Sequence, residues 1–228
     1  MRKVLFMGVW LSLLLSIIIG CGKMSDEQLM EEANVFVESG LYTKAITNYE
    51  ILARLYPESV IAPEALFRAG LAHILGSEDY SSALTSFKKV LDGYKTSAFT
   101  EGSEAMAAFL SADPLPVPAD ILYQVGLAYT NVIQDFDRAI DVFNKVIDSY
   151  PESVSAPPSQ FMIGFIYANS SSKLEEARTA YNSFLKNYPD HELAPSVQWE
   201  LKYLGKDINE IPELKALDGN FETTANDN

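Results

Sequence analysis

Cysteine is nearly absent from this 228-residue chain, and Cys21 is the only one. A single thiol closes no intramolecular disulfide, so any folded domain here depends on its apolar core. Basic residues are also scarce, 17 Lys and Arg against 31 Asp and Glu. A surplus of that sign repels phosphate backbones and anionic headgroups, which argues against nucleic acid and against electrostatic adhesion to lipid. Histidine occurs only at His73 and His191, in different parts of the chain and without neighbouring ligands. There is no glycine-rich phosphate loop, no HExxH, no GxSxG and no cysteine pair for zinc. The expectation is therefore a non-enzyme without metal or cofactor, with both histidines as ordinary surface or groove residues. The many carboxylates read as solvated helical surface.

One long apolar run is present, at the start. Arg2 and Lys3 precede an uncharged stretch from Val4 to Gly20, and Cys21 closes it. A positive start, an apolar middle and a small residue at the junction describe a secretory signal. Ile18-Ile19-Gly20-Cys21 resembles the lipobox of bacterial lipoproteins. That resemblance implies a signal peptide over 1–20, cleavage before Cys21, and acyl chains on this cysteine. Residues 21–24 would then be the lipidated cysteine and a short linker. Without Arg2 and Lys3, fifteen basic residues face the same thirty-one acidic ones. Membrane contact would rest on the acyl chains, at about 0.8 kcal/mol per buried methylene.

The rest of the chain is repetitive. "YPESVIAP" at 56–63 returns as "YPESVSAP" at 150–157. Tyr56, Tyr94, Tyr150 and Tyr188 are spaced by 38, 56 and 38 residues, so the middle interval carries eighteen extra. Before each tyrosine lies an amphipathic stretch with an alanine, an aromatic four residues on and an apolar residue three beyond. These are Ala45/Tyr49/Leu52, Ala83/Phe87/Val90, Ala139/Phe143/Val146 and Ala177/Tyr181/Phe184. Spacings of three and four put each trio on one helical face. Gly70, Gly126 and Gly164 stand thirteen residues before three of these alanines, and Ala33 stands twelve before the first. Glycine inside a helix costs about 1 kcal/mol relative to alanine, so three in register imply close packing against the aromatics. The units are antiparallel helix pairs. The repeated phrase is their punctuation: tyrosine ends a helix, serine caps the next, and Pro63 and Pro157 fall in a first turn.

This pattern resembles the tetratricopeptide repeat, on Gly126, Ala139, Phe143 and Pro151 and their equivalents. The usual small residue is replaced by Leu52, Val90, Val146 or Phe184, and Lys95 stands where proline is usual. The resemblance implies an all-α fold, an α-solenoid of about four helix pairs plus a C-terminal capping helix, over residues 25–205. An insertion near 98–117 holds a short helix, Ser103–Ser111, and then an extended "DPLPVP". Met106, Phe109 and Leu110 on that helix either contact a partner or cover neighbouring core. The tail 206–228 is acidic, and Ile208, Ile211 and Leu214 are positioned to dock on the last helices.

In such arrays the first helix of each pair lines the concave side. By register that groove offers Met30, Asn34, Phe67, Leu71, Tyr123, Leu127, Asn131, Phe161, Phe165 and Asn169. Rings beside amides suit an extended or helical peptide. The family's carboxylate-gripping variant needs basic residues there, and only Arg68 lies nearby. The lipobox, the short linker and the "YP-x-S-x-x-AP" connections together are similar to the lipoprotein subunits of the outer-membrane β-barrel assembly machinery. That similarity implies a scaffold for envelope proteins on the periplasmic face of the outer membrane. Gly22 after the cysteine, rather than aspartate, agrees with outer-membrane sorting. The alternatives are an adaptor like the Tol-Pal-associated cell-division coordinator and an accessory of a carbohydrate-processing enzyme.

Overall fold

The computed structural model describes residues 23–170 and 172–206. Cys21, the signal segment and the tail beyond residue 206 lie outside the described residues. Among the described residues every regular element is helical. The elements are α1 (Asp26–Glu38), α2 (Tyr42–Leu55), α3 (Ala62–Ser77), α4 (Tyr80–Gly93), α5 (Thr100–Leu110), α6 (Pro118–Ala128), a π-helical turn (Tyr129–Ile133), α7 (Phe136–Ser149), α8 (Ala156–Ala168), α9 (Leu174–Asn187) and α10 (Ala194–Tyr203).

Four antiparallel pairs, α1/α2, α3/α4, α6/α7 and α8/α9, follow in sequence, and α10 packs on α9. The chain enters α1 through a capping box in which Ser25 Oγ accepts from the Gln28 amide and the Gln28 side chain accepts from the Ser25 amide. All four alanine–aromatic–apolar trios are buried. Burying each large side chain contributes roughly 1.5–3 kcal/mol. The glycines explain the close approach. A Cβ on Gly70 would sit 2.5 Å from Phe87, one on Gly126 2.5 Å from Phe143, and one on Gly164 against the Tyr181 ring. Each second helix ends at its tyrosine in one conformation, with φ of −131° at Tyr56, −135° at Tyr94, −136° at Tyr150 and −133° at Tyr188.

The extra residue between glycine and alanine is absorbed differently in each pair. After α3, Glu78 turns left-handed at φ 53°; after α6 the chain makes the π-helical turn and Gln134 turns left-handed at φ 60°. The shorter first pair turns at Gly40 with φ 70°, where glycine carries no Cβ penalty.

Two expectations need correction. The serines of the connecting phrase do not cap the following helix. Ser59 Oγ and Ser97 Oγ accept from the amides of Ile61 and Phe99, inside the turn. The insertion is also more regular than its sequence suggests. Its helix begins at Thr100, six residues after Tyr94, just as α3, α8 and α10 begin six residues after Tyr56, Tyr150 and Tyr188. The same turn bonds recur, from the Ser59 amide to Tyr56 O and from the Ser97 amide to Tyr94 O, both 3.0 Å. So α5 is the first helix of a pair whose second helix is missing, and residues 111–117 lead from it to α6. It lies on α4, with Gly102 against Phe67 and Val132. Met106 and Leu110 are buried there and Phe109 half-buried, so this side of the insertion covers core.

Candidate partner-binding cleft

The inner face of the first two pairs is not open. Phe67 and Leu71 are fully buried, and Phe67 packs on Phe87 and on Phe99 at ring separations of 5.4 and 5.7 Å. They belong to the core rather than to a groove. Met30 packs on the α1/α2 core. Asn34 is engaged on both of its ends: its Oδ1 accepts from the Tyr49 hydroxyl at 2.6 Å and from Arg68 at 3.5 Å, and its backbone carbonyl accepts from Arg138 at 3.2 Å. Arg138 stands at the start of α7, held by Asp135 at 3.3 Å, and also pairs with Glu38 at 3.3 Å. The third pair therefore closes over the first.

The groups at this closure are strongly desolvated. Tyr129, on the π-helical turn, is buried, and burial raises its hydroxyl pKa far above the ordinary value, against the pull of Arg138. Burial also raises Tyr49. For Arg68, burial opposes the charge, but Glu64 at 2.7 Å and its neighbours hold the guanidinium above its usual range. These groups stay uncharged tyrosines and charged arginines through the physiological range, which suits hydrogen bonding rather than proton transfer.

What stays open is a cleft of about 1170 Å³ between the α6–α7 junction and the end of α8. It brings together Asn131, Phe165 and Asn169 with Arg68 at its edge. Tyr123 and Leu127 are half-buried, the former on Phe143 at 5.7 Å, and Phe161 is half-buried between Phe165 and Tyr181. These three border the core and are not among the cleft's lining. Residues not foreseen complete the cleft. Phe136, half exposed at 50%, opposes Phe165, exposed at 41%. Lys173 lies over the Tyr167 ring at 5.6 Å and 3.5 Å from Asp137. A signal for Phe136 was available: the position three before each alanine is apolar in all four units, as Tyr42, Tyr80, Phe136 and Leu174.

The π-helical turn forms one wall through Thr130, Asn131 and Ile133. It widens the backbone by one residue there, a device frequent at functional sites. Thr130 Oγ donates to the Gly126 carbonyl at 2.9 Å, satisfying one group that the wider turn releases. Among the described residues no cluster of His, Cys, Asp and Glu is arranged to hold a metal, and no helix is long and apolar enough to cross a membrane. Exposed rings flanked by amides, with opposite charges at the rim, make a surface for polypeptide.

Two family models, both described as tetratricopeptide repeat, match the chain: one over residues 30–98, the other over 120–153 and 159–191. Together they cover more than half of it and leave out α5. No curated protein sequence matches. Among solved structures, the chain is similar to the crystal structure of a tetratricopeptide repeat protein from Parabacteroides merdae ATCC 43184, at 20% identity and a TM-score of 0.33, covering 78% of this chain and 73% of that one. Arrays of this kind typically serve as non-catalytic scaffolds for protein–protein interaction. With four glycine-and-ring helix pairs, a capping helix and both family models in register with them, the chain belongs to the tetratricopeptide-repeat family.

Proposed function

We propose that this protein is a lipid-anchored scaffold of the cell envelope that holds an extended segment of a partner protein in the cleft between Phe136 and Phe165. The observation that carries this reading is the pair of large rings left exposed in a cleft lined by Asn131 and Asn169. Rings supply apolar area to a partner's side chains, and amides satisfy its backbone.

The anchor reading rests on the sequence around Cys21. The Tyr56 hydroxyl donates to the Met24 carbonyl at 2.6 Å, so the folded body begins three residues after that cysteine. Three residues span at most about 10 Å, which keeps the first helix pair at the membrane surface. From there the cleft meets proteins inserted in that membrane. The role that fits is a component of an outer-membrane protein assembly complex, on the periplasmic face.

Photo-crosslinking amino acids at positions 136 and 165, used in intact cells with mass spectrometry of the adducts, test the proposal. Envelope-protein adducts at these positions, absent from a probe at the exposed Lys88, are expected. The same adducts from all three positions, or none from the cleft, would reject it.

A further inference from the structure

The residue eleven positions beyond a closing tyrosine has a consistent place in the complete pairs. Phe67 and Phe161 pack on the ring of their own second helix, Phe87 at 5.4 Å and Tyr181 at 6.1 Å. Tyr123 does the same in α6, on Phe143. Two helices, α5 and α10, begin with the same turn and have no second helix among the described residues. They treat this position in opposite ways. In α5 it is Ala105, with Ala108 three residues on where the pairs carry glycine, and both are exposed. Those are small side chains fit for water. In α10 it is Trp199, 42% exposed and leaning on Tyr203 at 5.0 Å.

We propose that Ile208, Ile211 and Leu214 of this same chain fold back on Trp199 and close the open end of the array. Four observations direct the choice of occupant. Lys202 takes the place of Gly70, Gly126 and Gly164, and its long side chain keeps a second helix from approaching at the spacing of the other pairs. The cover is therefore extended chain, and Pro212 holds Ile211 in an extended conformation. The direction is right as well: Gly205 turns left-handed at φ 78°, and a Cβ on it would sit 2.9 Å from Leu174 of α9, so the chain leaves α10 back toward the array. The reach is sufficient, since Trp199 lies about 10 Å up the helix from Lys206 and five extended residues span roughly 17 Å. Charge agrees too. Asp207, Glu210 and Glu213 alternate with the apolar residues, and Lys202 and Lys206 lie over the Tyr203 ring at 4.7 and 5.4 Å.

The chain has two tryptophans, Trp10 and Trp199, so full-length protein carrying Trp10→Phe in detergent reports on Trp199 alone. Replacing Ile208, Ile211 and Leu214 with serine should shift its emission to the red and raise acrylamide quenching about twofold or more, with helix content unchanged. Unchanged emission and quenching would overturn the proposal. Quenching that varies with protein concentration would place a second copy on Trp199 and overturn it equally. A reciprocal variant makes the test independent of the tail substitutions: Trp199→Ala should speed tryptic cleavage after Lys215 about threefold or more. An unaltered cleavage rate would show that the tail does not rest on Trp199.

Discussion

Arg138 and Asn34 lie 104 positions apart, and the Arg138 guanidinium donates to the Asn34 backbone carbonyl at 3.2 Å. That one bond joins the start of α7 to the end of α1. With the Glu38 ion pair beside it, the bond closes the inner face of the first two helix pairs. The consequence is functional. The only parts of the expected groove left open are those beyond the closure, around Asn131, Phe165 and Asn169.

Removing this clasp tests the closure. Arg138→Ala leaves the Asn34 carbonyl and Glu38 without their charged donor, at a cost of about 1.5–3 kcal/mol. Urea unfolding should show a lower midpoint, with the helical signal of the native state intact. A midpoint equal to the parent would mean that the first and third pairs are held together by apolar packing alone.

The glycine register makes a sharper demand. A leucine at Gly126 has no room beside Phe143, so Gly126→Leu should cost at least about 1–3 kcal/mol through overpacking. The exposed Gly93, whose added Cβ meets nothing within 4 Å, is the control. Gly93→Ala should leave the thermal midpoint unchanged or slightly raised. Equal midpoints for the two variants would break the proposed helix register.

Stability should also depend on pH near neutrality through His73. Burial lowers its imidazole pKa below the ordinary 6.5, and Asp79 at 4.0 Å only partly opposes that. As pH falls through 6.5, the unfolded chain takes up a proton that the folded chain refuses, so stability is lost toward acid. The loss stops once the folded imidazole protonates as well. His73→Gln should flatten the stability profile between about pH 7 and pH 5. A profile of unchanged slope would assign the titration elsewhere.

Binding should be separable from folding at the cleft. Phe136 and Phe165 are each roughly half exposed, so replacing both with serine removes contact area without opening the core. If they anchor a partner, affinity should fall by about 2 kcal/mol or more, roughly thirtyfold. Thermal stability should remain near that of the parent. Retained affinity would move the binding surface away from this cleft.

The anchor has its own tests. Cys21→Ser should abolish acyl labelling, and labelling that persists would rule out this cysteine. Lengthening the linker after Cys21 by about twenty flexible residues extends its reach several-fold. A membrane-proximal scaffold should then fail to complement, and full complementation by the long-linker variant would count against an assembly role.

The helix pairs themselves were legible in the sequence because their causes are local. An alanine, a ring and an apolar residue spaced by four and three define a buried stripe. A glycine thirteen residues earlier marks where the ring seats, and proline in the phrase marks each restart. Side-chain periodicity and backbone sterics suffice for these. The place of α5 was only half legible, since Lys95 and Phe99 obscure a turn that is the same as at Tyr56. Which of the inner-face residues would stay open was not legible at all. Phe67 and Leu71 have the same register as Phe161 and Phe165, yet the first two are sealed and Phe165 is exposed. That difference arises from α5, which occupies a first-helix position without a partner, and from the contacts of α6 and α7 with α1 and α3. Small rotations between successive pairs add up over a hundred residues before Arg138 meets Asn34, and no local pattern records their sum.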